Sequence, residues 1–206
     1  FEKLPQVKAL PAEIRRDIHV VGRVLPFKYN RFLVENLLDW ANPLEDGMFR
    51  LTFPQREMLA PEHFDRMAAL VDASADKKQI QAAANAIRLQ LNPHPAGQQE
   101  HNVPTLRGVP LPGMQHKYRE TVLFFPSEAQ YCHSYCTYCF RWAQFVGSSD
   151  MQFASNAAEE LLNYLRDNKE VSDVLFTGGD PMVLNSKQLG KYLDSVASDP
   201  TLDHIQ

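Results

Sequence analysis

The three cysteines of this chain, Cys132, Cys136 and Cys139, lie within eight consecutive residues of a 206-residue sequence, spaced Cys-x3-Cys-x2-Cys. Every thiol the chain owns is committed to one loop, so the fold must present that loop where three sulfurs can act together. A disulfide framework does not account for it. The number is odd, the cysteines are too close in sequence to staple distant loops, and a chain of this length needs no staple. Structural zinc takes four ligands, usually as two paired hooks, and no second hook occurs here. His133 adjoins Cys132 and would need an awkward turn to reach the same ion, so it reads as a loop residue. A four-iron cluster normally takes four cysteines, one per iron. Three leave one iron open to an exogenous ligand.

The flanking sequence predicts where the loop sits. Thr121-Val122-Leu123-Phe124-Phe125 is a β-rich apolar run ending at Pro126-Ser127, which reads as a buried strand. Beyond the cysteines, Asn156 with Glu159 three residues on opens a predicted helix with Leu161, Leu162 and Leu165 on its apolar face and Tyr164 beside them. A second strand, Val171 to Phe176, runs into Gly178-Gly179-Asp180-Pro181, and Ser186 can cap a helix carrying Leu189, Tyr192, Leu193 and Val196. Strand, loop, helix, strand, loop, helix predicts the start of a parallel α/β array. In such arrays ligand sites collect at the carboxyl ends of strands.

Gly178-Gly179-Asp180 supports two readings. Two glycines after a strand can mark a turn that needs positive φ or close backbone packing. They can also let a small polar ligand approach, with strand-end carbonyls and Asp180 accepting hydrogen bonds from an ammonium group. Its place one β/α unit after the cysteine loop favours the second.

The first half has a different character. Ile14, Ile18 and Val21 recur at helical spacing, as do Leu33, Leu37 and Trp40. Pro61 starts a helix with Phe64, Met67, Ala68 and Val71, and Asp76 caps one through Ile80, Ala84, Ile87 and Leu91. The expected organisation is a helical region over 1–91, a Pro-rich extended connector over 92–113 and two β/α units over 114–206. A net charge of −4 without a basic stripe argues against nucleic acid as the main partner. No apolar stretch reaches membrane-spanning length and no secretion pattern opens the chain, so a cytoplasmic protein is expected. His19, His63, His94, His101 and His204 stand singly, without a ligand partner at metal spacing.

A cysteine loop of this spacing after a first strand, with Tyr138 just before the last cysteine and a Gly-Gly-acid turn after the second strand, resembles the radical S-adenosylmethionine superfamily. Leu111-Pro112-Gly113-Met114-Gln115-His116-Lys117-Tyr118 and Val174-Leu175-Phe176-Thr177-Gly178-Gly179-Asp180 resemble the lysine 2,3-aminomutase family more closely, over roughly residues 90 to 206. The resemblance implies the start of a partial (β/α)6 barrel, of which two units are present. It implies that Cys132, Cys136 and Cys139 bind a [4Fe-4S] cluster whose fourth iron is chelated by S-adenosylmethionine. It further implies that Gly178, Gly179 and Asp180 receive the methionine amino group, that Tyr138 lies near the adenine, and that Arg141 holds a substrate carboxylate. An electron from the reduced cluster then breaks the sulfonium bond to ribose C5′, and the deoxyadenosyl radical removes a hydrogen atom from an unactivated carbon. The implied partners are an amino acid-like substrate and a reducing donor such as flavodoxin or ferredoxin, and the resemblance allows a homo-oligomer.

In the aminomutases a pyridoxal phosphate imine carries the migrating amino group. Here Thr121 stands where that family has an arginine, the segment Phe125 to Tyr131 is longer, and Phe140, Trp142 and Ala143 replace a basic run. These departures leave pyridoxal phosphate and a charged substrate unsupported by these residues. Asp203-His204-Ile205-Gln206 reads as the beginning of a third strand, so the chain is expected to be part of something longer. Three functions stay open: an aminomutase-like isomerase, a radical S-adenosylmethionine enzyme without pyridoxal phosphate, and a non-enzymatic iron–sulfur or zinc-binding module.

Overall fold

The protein's computed structural model describes residues 1–92, 100–146 and 153–205. In its N-terminal part, prolines and acids set the helix starts. The elements are α1 (Pro5–Ala9), α2 (Ala12–Val24), α3 (Gly47–Thr52), α4 (Pro61–Asp72) and α5 (Lys77–Leu91). Pro61 opens α4, where its missing N–H costs nothing. At α5, Asp76 accepts from the amides of Lys78 and Gln79, and Gln79 returns a bond to the Asp76 amide.

The apolar stripes of α2, α4 and α5 close on one another through Val20, Val21, Val24, Phe64, Met67, Ala84 and Ile87. Arg88 is buried at their edge, donating to the carbonyls of Val24 at 2.7 Å and Arg23 at 3.1 Å and to Asn85 at 2.9 Å. It thereby satisfies carbonyls that the C-terminal end of α2 leaves without helical partners. A second cluster gathers Val7, Leu10, Ile18, Phe49 and Phe53. The helix expected through Leu33, Leu37 and Trp40 is a single π turn, Leu33–Leu37, with Leu38 already extended. Trp40 instead folds back to donate its indole N–H to Val34 O.

The second region is built on β1 (Thr105–Leu106), β2 (Val109–Pro110), β3 (Met114–Tyr118), β4 (Thr121–Phe124), α6 (Ala158–Asp167), β5 (Asp173–Phe176) and α7 (Ser186–Ala197). β4 and β5 are parallel and in register, Thr121 with Asp173 through Phe124 with Phe176. β3 pairs antiparallel with β4, so the sheet runs β3-β4-β5 rather than as the bare parallel pair expected. Val122, Phe124 and Val174 alternate onto the face covered by Leu161, Leu162, Leu165 and Tyr192, while Leu175 points away and is exposed.

Four local expectations are corrected. Within 92–113 the chain forms the β1/β2 hairpin, its turn made by Arg107 and Gly108 at positive φ; Pro93, Pro95 and His94 lie outside the described residues. The α6 N-terminus falls at Ala157, whose amide is taken by Ser155 Oγ, and Asn156 does not cap it. Asn185, not Ser186, caps α7, exchanging bonds with Gln188. Asp203 to Ile205 form turn and coil, not a strand, and Gln206 lies outside the described residues.

The chain divides into two units, Phe1–His94 with His133–Val146, and Pro95–Cys132 with Gly147–Gln206. The division falls inside the cysteine loop, with Cys132 in the second unit and Cys136 and Cys139 in the first. Among the described residues no helix is long and apolar enough to cross a membrane.

Candidate metal centre and cofactor turn

In the second unit the chain leaves β4 through Phe125 and Pro126, makes a short 3-10 turn at Ser127–Ala129 and reaches Cys132. The Gly178-Gly179-Asp180 turn at the end of β5 lies on this exit segment. Gly179 N donates to Ala129 O at 2.8 Å and Asp180 N to Tyr131 O at 3.0 Å. A Cβ on Gly178, whose φ is 147°, would stand 2.7 Å from Ala129 O, and one on Gly179 would stand 2.4 Å from Tyr131 C and O. The missing side chains therefore make room for the protein's own backbone. What the turn offers a ligand comes from its remaining backbone groups and from Asp180, whose Oδ1 accepts from Met182 N at 2.9 Å.

Gln130 adds a group that sequence patterns did not single out. Its Nε2 donates to Pro126 O at 2.7 Å, next to the Cβ position of Gly178. Exchanging the amide's ends would set two acceptors against each other, so this bond fixes the orientation. Oε1 is then buried with no hydrogen-bond partner among the described residues.

In the first unit, the residues flanking Cys136 are held by main-chain and hydroxyl bonds to the carbonyls of the helical region. Tyr135 N and Ser134 Oγ donate to Lys28 O at 3.0 and 2.9 Å, and Thr137 N and Oγ1 donate to the carbonyls of Leu51 and Arg50, each at 2.7 Å. Tyr135 stacks on Phe145 at 4.9 Å. Cys139 N donates to Cys136 O at 3.1 Å and Trp142 N to Cys139 O at 3.2 Å, which winds the chain tightly around the last cysteine. Leu25, Pro26, Met58, Leu91 and Trp142 line a cleft of about 360 Å³ with these two cysteines, Thr137, Tyr138 and Phe140. Among the described residues no charged side chain lines it. The rings of Tyr138 and Phe140 are largely exposed, at 76% and 82%.

Burial pushes the Cys139 thiol above its ordinary range; the Arg141 main-chain N–H and guanidinium, which favour the thiolate, offset this only in part. Arg141 donates from Nη2 to Gln144 Oε1 at 2.5 Å, and Gln144 N donates back to Arg141 O at 3.0 Å. None of the three cysteines is joined in a disulfide. Among the described residues no three His, Cys, Asp or Glu side chains converge in single-ion geometry. The donor set, three accessible or half-buried thiols, suits the cluster in number and type.

Comparison with known proteins adds the following. A family model described as a 4Fe-4S single cluster domain matches residues 118–204. A putative L-lysine 2,3-aminomutase of Aquifex aeolicus is 27% identical over 194 residues, 94% of this chain and 41% of that protein. An L-lysine 2,3-aminomutase of Fusobacterium nucleatum is 24% identical over 179 residues, covering 84% of this chain and 39% of that protein. A glutamate 2,3-aminomutase of Clostridioides difficile is 32% identical over 75 residues, 36% of this chain and 18% of that protein. The chain thus spans about two-fifths of the length of the first two of these curated relatives.

Proposed function

This chain is a homologue of the lysine 2,3-aminomutases, and on that footing we propose that it carries the cluster and cofactor-binding end of a radical S-adenosylmethionine enzyme. The observation that carries the reading is the pair of bonds from Gly179 and Asp180 to Ala129 and Tyr131, which keys the Gly-Gly-Asp turn to the segment entering Cys132. In this reading β4 and β5 are the first two strands of a partial (β/α)6 barrel, with 1–91 a helical region, 92–113 a connector and 114–206 the barrel units. Cys132, Cys136 and Cys139 hold three irons of a [4Fe-4S] cluster.

The residues present fit an ammonium-bearing ligand at the turn. Gly178, Gly179 and Asp180 offer carbonyls and a carboxylate, and Gln130 Oε1 is a buried acceptor with no partner among the described residues, costly unless a donor arrives. Tyr138 offers an exposed ring for the adenine, and Arg141, steadied by Gln144, offers a fork for a substrate carboxylate. When bound, the cluster supplies the electron that cleaves S-adenosylmethionine and so starts hydrogen-atom abstraction. The chain's own part is to orient that cofactor and to keep water from the reacting atoms.

The proposed reaction is 2,3-migration of an amino group in an amino acid, with pyridoxal phosphate as carrier. A second reading, a radical enzyme without pyridoxal phosphate, is favoured by Thr121 at the head of β4 and by the uncharged cleft wall of Phe140 and Trp142. A reducing compartment and a flavodoxin- or ferredoxin-like donor are part of either reading. Anaerobic reconstitution of the protein tests the proposal: about four irons per chain and 5′-deoxyadenosine on reduction with S-adenosylmethionine are expected. One bound zinc and no nucleoside product would overturn it. A pyridoxal imine absorbance surviving gel filtration decides for the aminomutase, and its absence for the second reading.

A further inference from the structure

The exit segment from β4 to Cys132 carries the backbone on which the Gly178-Gly179-Asp180 turn rests, and the structure shows what holds it. Tyr192, on α7, is buried with its ring against Phe124 at 5.5 Å and Phe176 at 5.9 Å, so the sheet core sets the position of its hydroxyl. That hydroxyl donates to Glu128 Oε2 at 2.7 Å. Burial raises the Tyr192 phenol well above its ordinary range and keeps it a proton donor.

From Glu128 onward each residue has a fixed partner. Ala129 O accepts from Gly179, Gln130 Nε2 turns back to Pro126 O, and Tyr131 O accepts from Asp180. Two of these four bonds come from the Gly-Gly-Asp turn and one is local. The Glu128 bond ties the segment to a helix whose Tyr192 is buried against the sheet. The start of the segment is also held by Ser155, whose O accepts from Ser127 N at 2.9 Å and whose N donates to Phe125 O at 2.8 Å, so the Glu128 bond adds a side-chain anchor nearer to the turn and Cys132.

We infer that Glu128 and Tyr192 are a positioning pair, setting the exit segment on which the Gly178-Gly179-Asp180 turn rests and thereby the affinity for S-adenosylmethionine. Both would act through that backbone segment. The inference rests on the functional reading above and extends it to two residues 64 positions apart.

The test uses the reconstituted protein, with the change in the reduced cluster's electron paramagnetic resonance spectrum on adding S-adenosylmethionine as an affinity readout. Tyr192→Phe, which keeps the ring, and Glu128→Ala should still bind iron as the unsubstituted protein does, but need roughly five- to tenfold more S-adenosylmethionine for the spectral change. Glu128→Gln, which keeps an acceptor, should restore the affinity. Asp199→Asn, which weakens the same unit away from the segment, should lower thermal stability and leave the affinity unchanged. Unchanged affinity in Tyr192→Phe and Glu128→Ala would overturn the inference alone. Failure of the unsubstituted protein to show any S-adenosylmethionine-dependent spectrum would overturn it together with the functional reading.

Discussion

The amide of Asp180 donates to the carbonyl of Tyr131 at 3.0 Å, one residue before Cys132. Two stretches almost fifty residues apart in sequence are thus joined by main chain alone, at the carboxyl ends of two parallel strands. The glycines preceding Asp180 make that approach possible, which gives the first prediction.

Gly179→Ala places a methyl 2.4 Å from the Tyr131 carbonyl, against backbone that cannot swing aside. The turn must separate from the exit segment, with a loss of about 3 kcal/mol or more by comparison with overpacked cores. Urea unfolding should show the loss, and reconstitution should show impaired S-adenosylmethionine cleavage. Wild-type stability in Gly179→Ala would mean that the contact is loose.

Arg88 is 8% exposed and makes three hydrogen bonds, two of them to carbonyls at the end of α2. Replacing it with Met keeps the stem but orphans those carbonyls. A loss of about 2–3 kcal/mol follows, measurable as a lower urea midpoint.

Asp199 accepts from Thr201 Oγ1 and N and from Arg166, which together depress its carboxyl to about 2. A depressed folded-state pKa stabilises above the ordinary carboxyl value of 3.8 and loses that stabilisation as pH falls through about 2. The difference in melting temperature between the wild type and Asp199→Asn should therefore be constant above pH 5 and shrink between about pH 4 and 2. A difference that persists unchanged at pH 2 would show that the carboxylate charge contributes nothing.

Cys136 is exposed, whereas Cys139 is half-buried with its thiol raised by burial. In cluster-free, reduced protein at pH 8, iodoacetamide should label Cys136 several-fold faster than Cys139, because the thiolate is the reacting species. Peptide mass spectrometry reads the order directly. Equal rates would show that the loop opens faster than it reacts.

Much of the architecture was legible in the sequence because it rests on local signals. Pro61 and Asp76 announce helices by chemistry confined to one turn, and the leucines of α6 report a buried face through their spacing. The segment Leu33 to Trp40 has the same apolar spacing and fails as a helix. The Trp40 indole finds its acceptor at Val34 O only when the chain turns back, and spacing cannot register that contact. Asn156 has capping chemistry, but the helix begins one residue later, with Ala157 at the cap position and its amide held by Ser155 Oγ. β3 went unrecognised as a strand because its outer residues are exposed; its pairing with β4 defines it.

Local sequence suffices to read three clustered thiols at Cys-x3-Cys-x2-Cys, a Gly-Gly-acid turn one β/α unit later, and the strands that lead into both. Covalent spacing keeps the three thiols together, since residues seven apart cannot stray far from one another. Only the tertiary structure decided why the glycines are glycines, namely that Ala129 and Tyr131 occupy the space their side chains would take, and that Tyr192 holds Glu128 across 64 residues. Such contacts join groups with no sequence period in common, so they exist only once the sheet and α7 have packed.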